Sequence, residues 1–275
     1  MTLSDFSHIA NINELKEIEK VEAKYLDKYY YFLKFAEDEL LNGFKTKYEI
    51  KDDWMNKWNP SEEGKGISDF ATGAERIVYS LLNGKGIGQP NSCPIGSDLF
   101  FEVEDAFIHI DLKTVQTRNI GDYTNDIFVG NNQNSYNGKV IVSGVEKIYD
   151  EACLPYYYTL RDGSKKICLT YFITILYEEQ NLNILNINIL SMPNGKLFDV
   201  YGTKVLKAGK VLYKKGNPKR DTHCLSIRYK WGEALKYELL ENKSRIKVAY
   251  FNENMNQEYR KKLKKIEDIY ISQGV

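Results

Sequence analysis

The sequence predicts an α/β fold. Helical apolar spacing recurs over residues 13–41 and 72–82, period-2 alternation flanks a tight turn at Glu104-Asp105, and three further apolar runs of strand length lie between Lys139 and Met192. At 275 residues, 43% hydrophobic and 28% charged, the chain can bury one substantial core with appended elements.

The elements follow in order. Over residues 13–41, Leu15, Ile18, Tyr25, Tyr29, Phe32, Leu33, Ala36 and Leu40 recur at helical spacing among Glu and Lys, and Asn42-Gly43 forms a stop. This is one long helix or two with a bend, and its apolar side suits either the core or a dimer interface. In residues 72–82, Ile77, Val78, Leu81 and Leu82 share a helical face that ends at Asn83-Gly84. Leu99, Phe101 and Val103 then alternate, as do Ile108, Ile110 and Leu112. If Val103 pairs with Ala106 across an even-numbered turn, Leu99 faces Ile110, Phe101 faces Ile108, and Asp98 faces Asp111. Lys113 shares the face of the two aspartates. Further strands cover residues 139–143, 167–177 and 182–192, the last two joined as a hairpin over 178–181. Met255, Tyr259, Leu263, Ile266 and Ile269 share one face of a C-terminal helix that packs back on the sheet.

Opposed residues place their Cβ atoms about 4.5–5.5 Å apart, so Asp98 and Asp111 repel each other unless a cation lies between them. A hard, oxygen-seeking ion such as Mg2+ meets that need. The Asp-x-Lys spacing alone says little, because Glu49-Ile50-Lys51, Glu63-Gly64-Lys65 and Glu241-Asn242-Lys243 share it. Asp111-Leu112-Lys113 differs in lying within an apolar alternation, with a partner aspartate in matching register behind Pro94. The bland reading is a half-buried hairpin with a solvated charged face. The chemical one is a phosphodiesterase site, since bound metal and an amine can activate water and offset charge on phosphoryl oxygens.

Pro94-Ile-Gly-Ser-Asp98 and Asp111-Leu112-Lys113 resemble the motif of the PD-(D/E)XK nuclease superfamily, and within it the type II restriction endonucleases. Three residues separate Pro94 from Asp98 where that family often has none. The run Phe107-Ile-His-Ile-Asp-Leu-Lys-Thr114, trailed by Gln116-Thr117-Arg118-Asn119, looks most like blunt-cutting members that read DNA through Asn, Gln and Thr loops. The resemblance implies a restriction-endonuclease-like mixed central β-sheet flanked by α-helices, and Mg2+-dependent, sequence-specific cleavage of double-stranded DNA. It also implies a homodimer, whose twofold symmetry suits a short palindromic site. Asp98 and Asp111 would hold the metal, and Lys113 would orient or deprotonate the attacking water. Glu75 matches, in order, a glutamate that often completes the metal site in these enzymes. Thr72-x-x-Glu75 fits a helix capping box equally well.

The expected layout is a single endonuclease domain over 1–275, with a helical region at 1–66, a catalytic core at 67–192, and a basic segment and C-terminal helix at 193–275. Net charge is zero and the pI about 6.8, which argues against indiscriminate coating of nucleic acid. Residues 204–230 nevertheless hold Lys204, Lys207, Lys210, Lys214, Lys215, Lys219, Arg220, Arg228 and Lys230 against only Asp221, suited to phosphate contacts or to a solvated loop. Residues 114–138 lack periodicity and read as a long loop. Its Gln116, Arg118, Asn119, Asn131, Asn132, Gln133 and Asn134 suit base-edge contacts, and an ordinary mobile loop explains the composition too. Cys93, Cys153, Cys168 and Cys224 show no paired spacing and read as reduced and structural, and the three histidines are too scattered for structural zinc. With no apolar run near the ~18–20 residues of a membrane helix and no signal-peptide pattern, a cytoplasmic location is expected. Two other classes fit the same residues: a structure-specific or repair nuclease on this fold, and a non-catalytic nucleic-acid-binding protein.

Overall fold

Near-continuous apolar sequence at residues 167–177 and 184–192 is the pattern of strands buried on both faces, and these residues form the middle of the sheet. In the computed structural model, which describes residues 6–49, 69–83, 88–90, 96–142, 144–211 and 225–274, they are β8 (Lys165–Tyr177) and β9 (Ile184–Met192). Outward from β8 lie β3 (Ala106–Gln116), β2 (Leu99–Glu102) and β1 (Gln89–Pro90). Beyond β9 lies β12 (Ile246–Phe251), and β7 (Tyr157–Thr159) pairs with the start of β8. Neighbours are antiparallel except β3 and β8, whose parallel register runs from Ala106↔Ile167 to Gln116↔Tyr177, so the sheet is mixed as expected. The β8–β9 hairpin follows the sequence reading closely.

Helices flank this sheet. The 13–41 segment is two helices, α1 (Ile12–Phe35) and α2 (Glu37–Glu49), separated at Ala36. Leu15, Ile18, Tyr25, Tyr29 and Leu33 of α1 are buried in this chain's own core, where α1 packs on β9 and β12. Asn42-Gly43 does not end the helix. Gly43 sits where α2 meets α3 (Asp69–Asn83), and a Cβ there would come within 3.2 Å of the Ile77 side chain, so glycine serves close packing. Val78 and Leu82 of α3 are buried, as its spacing predicted.

Residues 114–138 are only partly irregular. After β3 runs on to Gln116, a 3-10 turn (Thr117–Asp122) leads to β4 (Ile127–Val129), then a second 3-10 turn (Asn131–Gln133). β4 joins β10 (Leu206–Val211) and β11 (Leu225–Tyr229) in a second sheet, and β5 (Gly138–Val142) pairs with β6 (Val145–Tyr149). The C-terminal helix is also broken, at Leu263, between Gln257–Lys262 and Lys264–Ser272. Leu263 and Ile266, with Met255 in the turn just before the helix, are buried in the core, and the Gln273 amide bonds both Val248 N at 2.8 Å and Val248 O at 3.0 Å.

Between α1 and the sheet lies a buried ionic cluster. Arg245 Nη2 is 3.2 Å from Glu19 Oε1 and 2.8 Å from Glu22 Oε2, and its guanidinium lies over the Tyr201 and Tyr237 rings at 4.7 and 4.1 Å. Leu239 N donates to Glu19 at 2.8 Å and Asn194 N to Glu22 at 2.7 Å. One cation serves two carboxylates, and burial raises the Glu22 carboxyl to about 7 despite the opposing pull of Arg245. Arg245→Met should therefore cost roughly 3–5 kcal/mol in urea unfolding, because it strands buried charge. Adding Glu19→Gln and Glu22→Gln should recover much of that loss. A single mutant as stable as wild type would show that the cluster does not depend on its arginine.

Candidate active site

The β2–β3 hairpin has the register the alternation predicted. Leu99 pairs with Ile110 and Phe101 with Ile108, and Val103 N donates to Ala106 O at 3.0 Å across the two-residue turn. The turn is fixed from α1, where Lys24 Nζ lies 2.7 Å from Asp105 and Tyr25 Oη also donates to it. Continuing the ladder by one pair sets Asp98, just before β2, opposite Asp111. Asp98 Oδ2 accepts from Leu112 N at 2.6 Å, a backbone donor that β2 starts too late to pair.

Alternation along β3 puts Phe107, His109, Asp111 and Lys113 on one face. This face is not solvated, contrary to the bland reading of the hairpin: Asp111 is 3% exposed, and Phe100, Phe107 and His109 are buried beside it. His109 lies with Nδ1 3.1 Å from Ser97 Oγ and Nε2 2.9 Å from Tyr158 Oη. Burial lowers its pKa to about 4, so it is neutral at physiological pH and braces the loop next to Asp98. Sequence reasoning passed over His109, although its odd-numbered place in the strand was the available signal.

Asp111 Oδ1 accepts from Gln133 Nε2 at 2.5 Å. Its Oδ2 is in ion contact with Lys113 Nζ and takes no aligned hydrogen bond. Lys113 Nζ also donates to Gln133 Oε1 at 3.1 Å and lies 5.8 and 5.6 Å from the Phe128 and Phe172 ring centres. Burial is the main cause that raises the Asp111 carboxyl to about 7; Lys113 opposes it, and the charges of Asp98 and Glu75 add to it. Glu75, half-buried on α3, is raised first by burial and then by Asp98. The three carboxylates thus act on one another. The capping reading of Glu75 fails, because α3 begins at Asp69 and Thr72 lies inside the helix. The Thr72 side chain is outside the described residues.

These groups fit a hard cation. The donors are carboxylate oxygens, and Asp111 has an oxygen without an aligned hydrogen bond in a setting that disfavours its own charge. Among the described residues no three His, Cys, Asp or Glu close a metal cage. Mg2+ suits such an open set, since it typically takes one or two carboxylates and completes its shell with water and phosphate oxygens.

The residues expected to touch DNA are dispersed. Arg118 is exposed and pairs with Glu179 at 3.1 Å, and Asn119, Asn131 and Asn132 are exposed. Gln116 is half-buried and bonds Tyr177. Gln133 bridges Asp111 and Lys113. Asn134 is buried, donates to Gly130 O at 2.9 Å and accepts from Tyr136 N at 2.9 Å, so it holds its own loop and presents no edge to a base. Arg228 is paired with Asp126 and Asp122. Lys207 meets Asp126 at 3.3 Å, Lys204 meets Glu238 at 3.2 Å and Lys230 meets Glu233 at 3.0 Å. Pro94, Lys214, Lys215, Lys219 and Arg220, with Cys93 and Cys224, lie outside the described residues. Cys153 and Cys168 are free thiols, the first exposed and the second buried.

The fold resembles two solved restriction endonucleases. BglI bound to its DNA recognition sequence aligns at 17% identity over 86% of this chain and 93% of that one, with a TM-score of 0.64. Tetrameric SfiI bound to cognate DNA aligns at 14% identity over 91% and 89%, with a TM-score of 0.62. At these identities the likeness establishes the fold. No curated protein sequence matches the chain. The family model described as the N-terminal domain of type II restriction enzyme MwoI matches residues 14–181, and that of its central domain matches residues 184–251. The junction falls in the turn between β8 and β9, so both matched regions build one sheet. With the first match alone spanning more than half its length, the chain belongs to the MwoI family of type II restriction enzymes, site-specific deoxyribonucleases that act on DNA.

Proposed function

We propose that this restriction enzyme cuts double-stranded DNA at a short palindromic sequence as a Mg2+-dependent homodimer, through a PD-(D/E)XK site made of Asp98, Asp111 and Lys113 with Glu75 alongside. The carrying observation is the juxtaposition on the β2–β3 hairpin: Asp98 in register with Asp111, and Lys113 in contact with Asp111. Type II restriction endonucleases generally use divalent metal ions. Asp98, Asp111 and Glu75 would hold the ion, which when bound supplies Lewis-acid stabilisation of the phosphoryl oxygens and a more acidic water. Lys113 holds an ammonium beside Asp111, where it orients the attacking water and offsets charge growing on the phosphate.

Gln116, Arg118, Asn119, Asn131 and Asn132 remain candidates for base-edge contacts, and Lys214, Lys215, Lys219 and Arg220 for phosphate contacts. The oligomeric reading draws on twofold symmetry and on SfiI, whose structure is tetrameric. The proposed layout keeps 1–275 as one endonuclease domain. Among the described residues no helix is long and apolar enough to cross a membrane, and the proposed location is cytoplasmic.

The test is plasmid cleavage across a Mg2+ titration, with EDTA expected to stop it; unchanged cleavage in EDTA would remove the metal reading. Glu75→Gln separates the roles of that residue within the same assay. A ligand role predicts at least about a tenfold fall in rate or in apparent Mg2+ affinity with thermal stability unchanged. Wild-type kinetics in this variant would take Glu75 out of the site.

A further inference from the structure

Gln133 was expected among the base-reading side chains, yet it makes the contacts of a fixed structural part. Its Nε2 donates to Asp111 Oδ1 at 2.5 Å and to Gly96 O at 3.1 Å. Its Oε1 accepts from Lys113 Nζ at 3.1 Å and from Gly130 N at 2.8 Å. Two donors and two lone pairs are the whole capacity of a carboxamide. The amide has one workable orientation, because a flip would set NH2 against an ammonium and an N–H, and oxygen against a carboxylate and a carbonyl.

These four bonds join three segments. One carries Asp98, entered through Gly96; the second is β3 at Asp111 and Lys113; the third is the 3-10 turn at Asn131–Gln133. The first and third approach so closely that a Cβ at Gly96, whose φ is +40°, would clash with the Asn132 side chain. Lys113 has a flexible four-carbon stem, and Asp111 alone leaves its ammonium free to swing around one carboxylate oxygen. Gln133 Oε1 supplies the second anchor that fixes it.

We infer that Gln133 is a positioning residue for cleavage: it locks Asp111 and Lys113 into their working geometry and does not read a base. This rests on the site proposed above. Displacing reacting groups by about 1 Å costs on the order of 100-fold in rate, so losing one anchor should slow catalysis with little effect on DNA affinity.

Gln133→Ala deletes all four bonds. Gln133→Glu keeps the shape and the contacts to Lys113 and Gly130, but turns both donors into acceptors facing Asp111 and Gly96 O. The readouts are single-turnover cleavage of the site-bearing duplex in Mg2+, and binding of site-bearing and scrambled duplexes in Ca2+. Both variants should cleave about 10- to 100-fold more slowly while binding both duplexes within about threefold of wild type. The loss should lie in the single-turnover rate at saturation and not in the concentration at half-saturation. A purely structural role would lower rate and affinity together. If Gln133→Ala fails to fold, the isosteric glutamate variant decides.

Full-rate cleavage by the folded variants overturns the inference, and so does an affinity loss confined to the site-bearing duplex, which marks a base reader. Asp111→Asn, measured in parallel, separates the two levels. If it is inactive while the Gln133 variants are normal, only the role of Gln133 falls. If Asp111→Asn cleaves normally, the site itself is misplaced.

Discussion

Asp111→Asn should lose cleavage by about a thousandfold or more while making the protein more stable at neutral pH in EDTA, on the scale of removing an essential site group. Both effects follow from one buried carboxylate. Its charge is what a metal ion requires, and burial makes that charge costly beyond what Lys113 offsets. The folded-state pKa is about 7 against an ordinary 3.8, so between those values the folded protein holds a proton that the unfolded chain has released. Stability then falls as pH rises from about 4 to 7 and levels off above, by at most about 4 kcal/mol for this group. Asparagine keeps an acceptor for Gln133 and never ionises, so its contribution is flat. Glu22, also raised to about 7, gives a parallel slope in both proteins, and the difference between them isolates Asp111. Urea unfolding in EDTA at pH 5 and pH 8 measures it. Identical slopes would mean that Asp111 does not titrate there, and normal cleavage would remove it from the site.

Lys113→Ala should cut the rate by about 10²–10⁴ while leaving binding to the site-bearing duplex in Ca2+ within a few fold. The ammonium sits inside the cluster, 18% exposed, held by Asp111 and Gln133, and so is better placed for chemistry than for long-range attraction of DNA. Lys113→Arg should not rescue, since a planar guanidinium cannot reproduce a compact ammonium between two fixed acceptors and does not give up its proton. A gel shift beside single-turnover kinetics reads both quantities. Binding lost in proportion to rate would make Lys113 a phosphate clamp instead.

The hairpin was legible because its information is local. Period-2 alternation on both sides of a two-residue turn fixes register, and register fixes which residues oppose, so Asp98, Asp111 and Lys113 could be placed together. The burial of that face was not legible. It depends on β8 pairing in parallel with β3 and on Tyr158 and Phe100 closing over His109, partners that the alternation does not name. Glu19 and Glu22 read as ordinary charges on a Glu- and Lys-rich helix, yet Arg245, more than two hundred residues away, draws both into the core. Within the basic segment, Arg228, Lys207 and Lys204 meet Asp122, Asp126 and Glu238 from elsewhere in the chain, pairings that a local count of charge does not reveal. Gln133 and Asn134 looked alike as polar residues of an irregular stretch. One entered the site and the other its supporting loop, a distinction that only tertiary packing draws.

The most direct measurement is digestion of a plasmid of known sequence by the purified protein in Mg2+, followed by sequencing of the fragment ends, with Asp111→Asn digested in parallel. Discrete fragments whose ends share one short palindromic sequence, absent in EDTA and absent with the variant, are the predicted result. A smear of unrelated ends, or the same fragments from Asp111→Asn, would contradict the account.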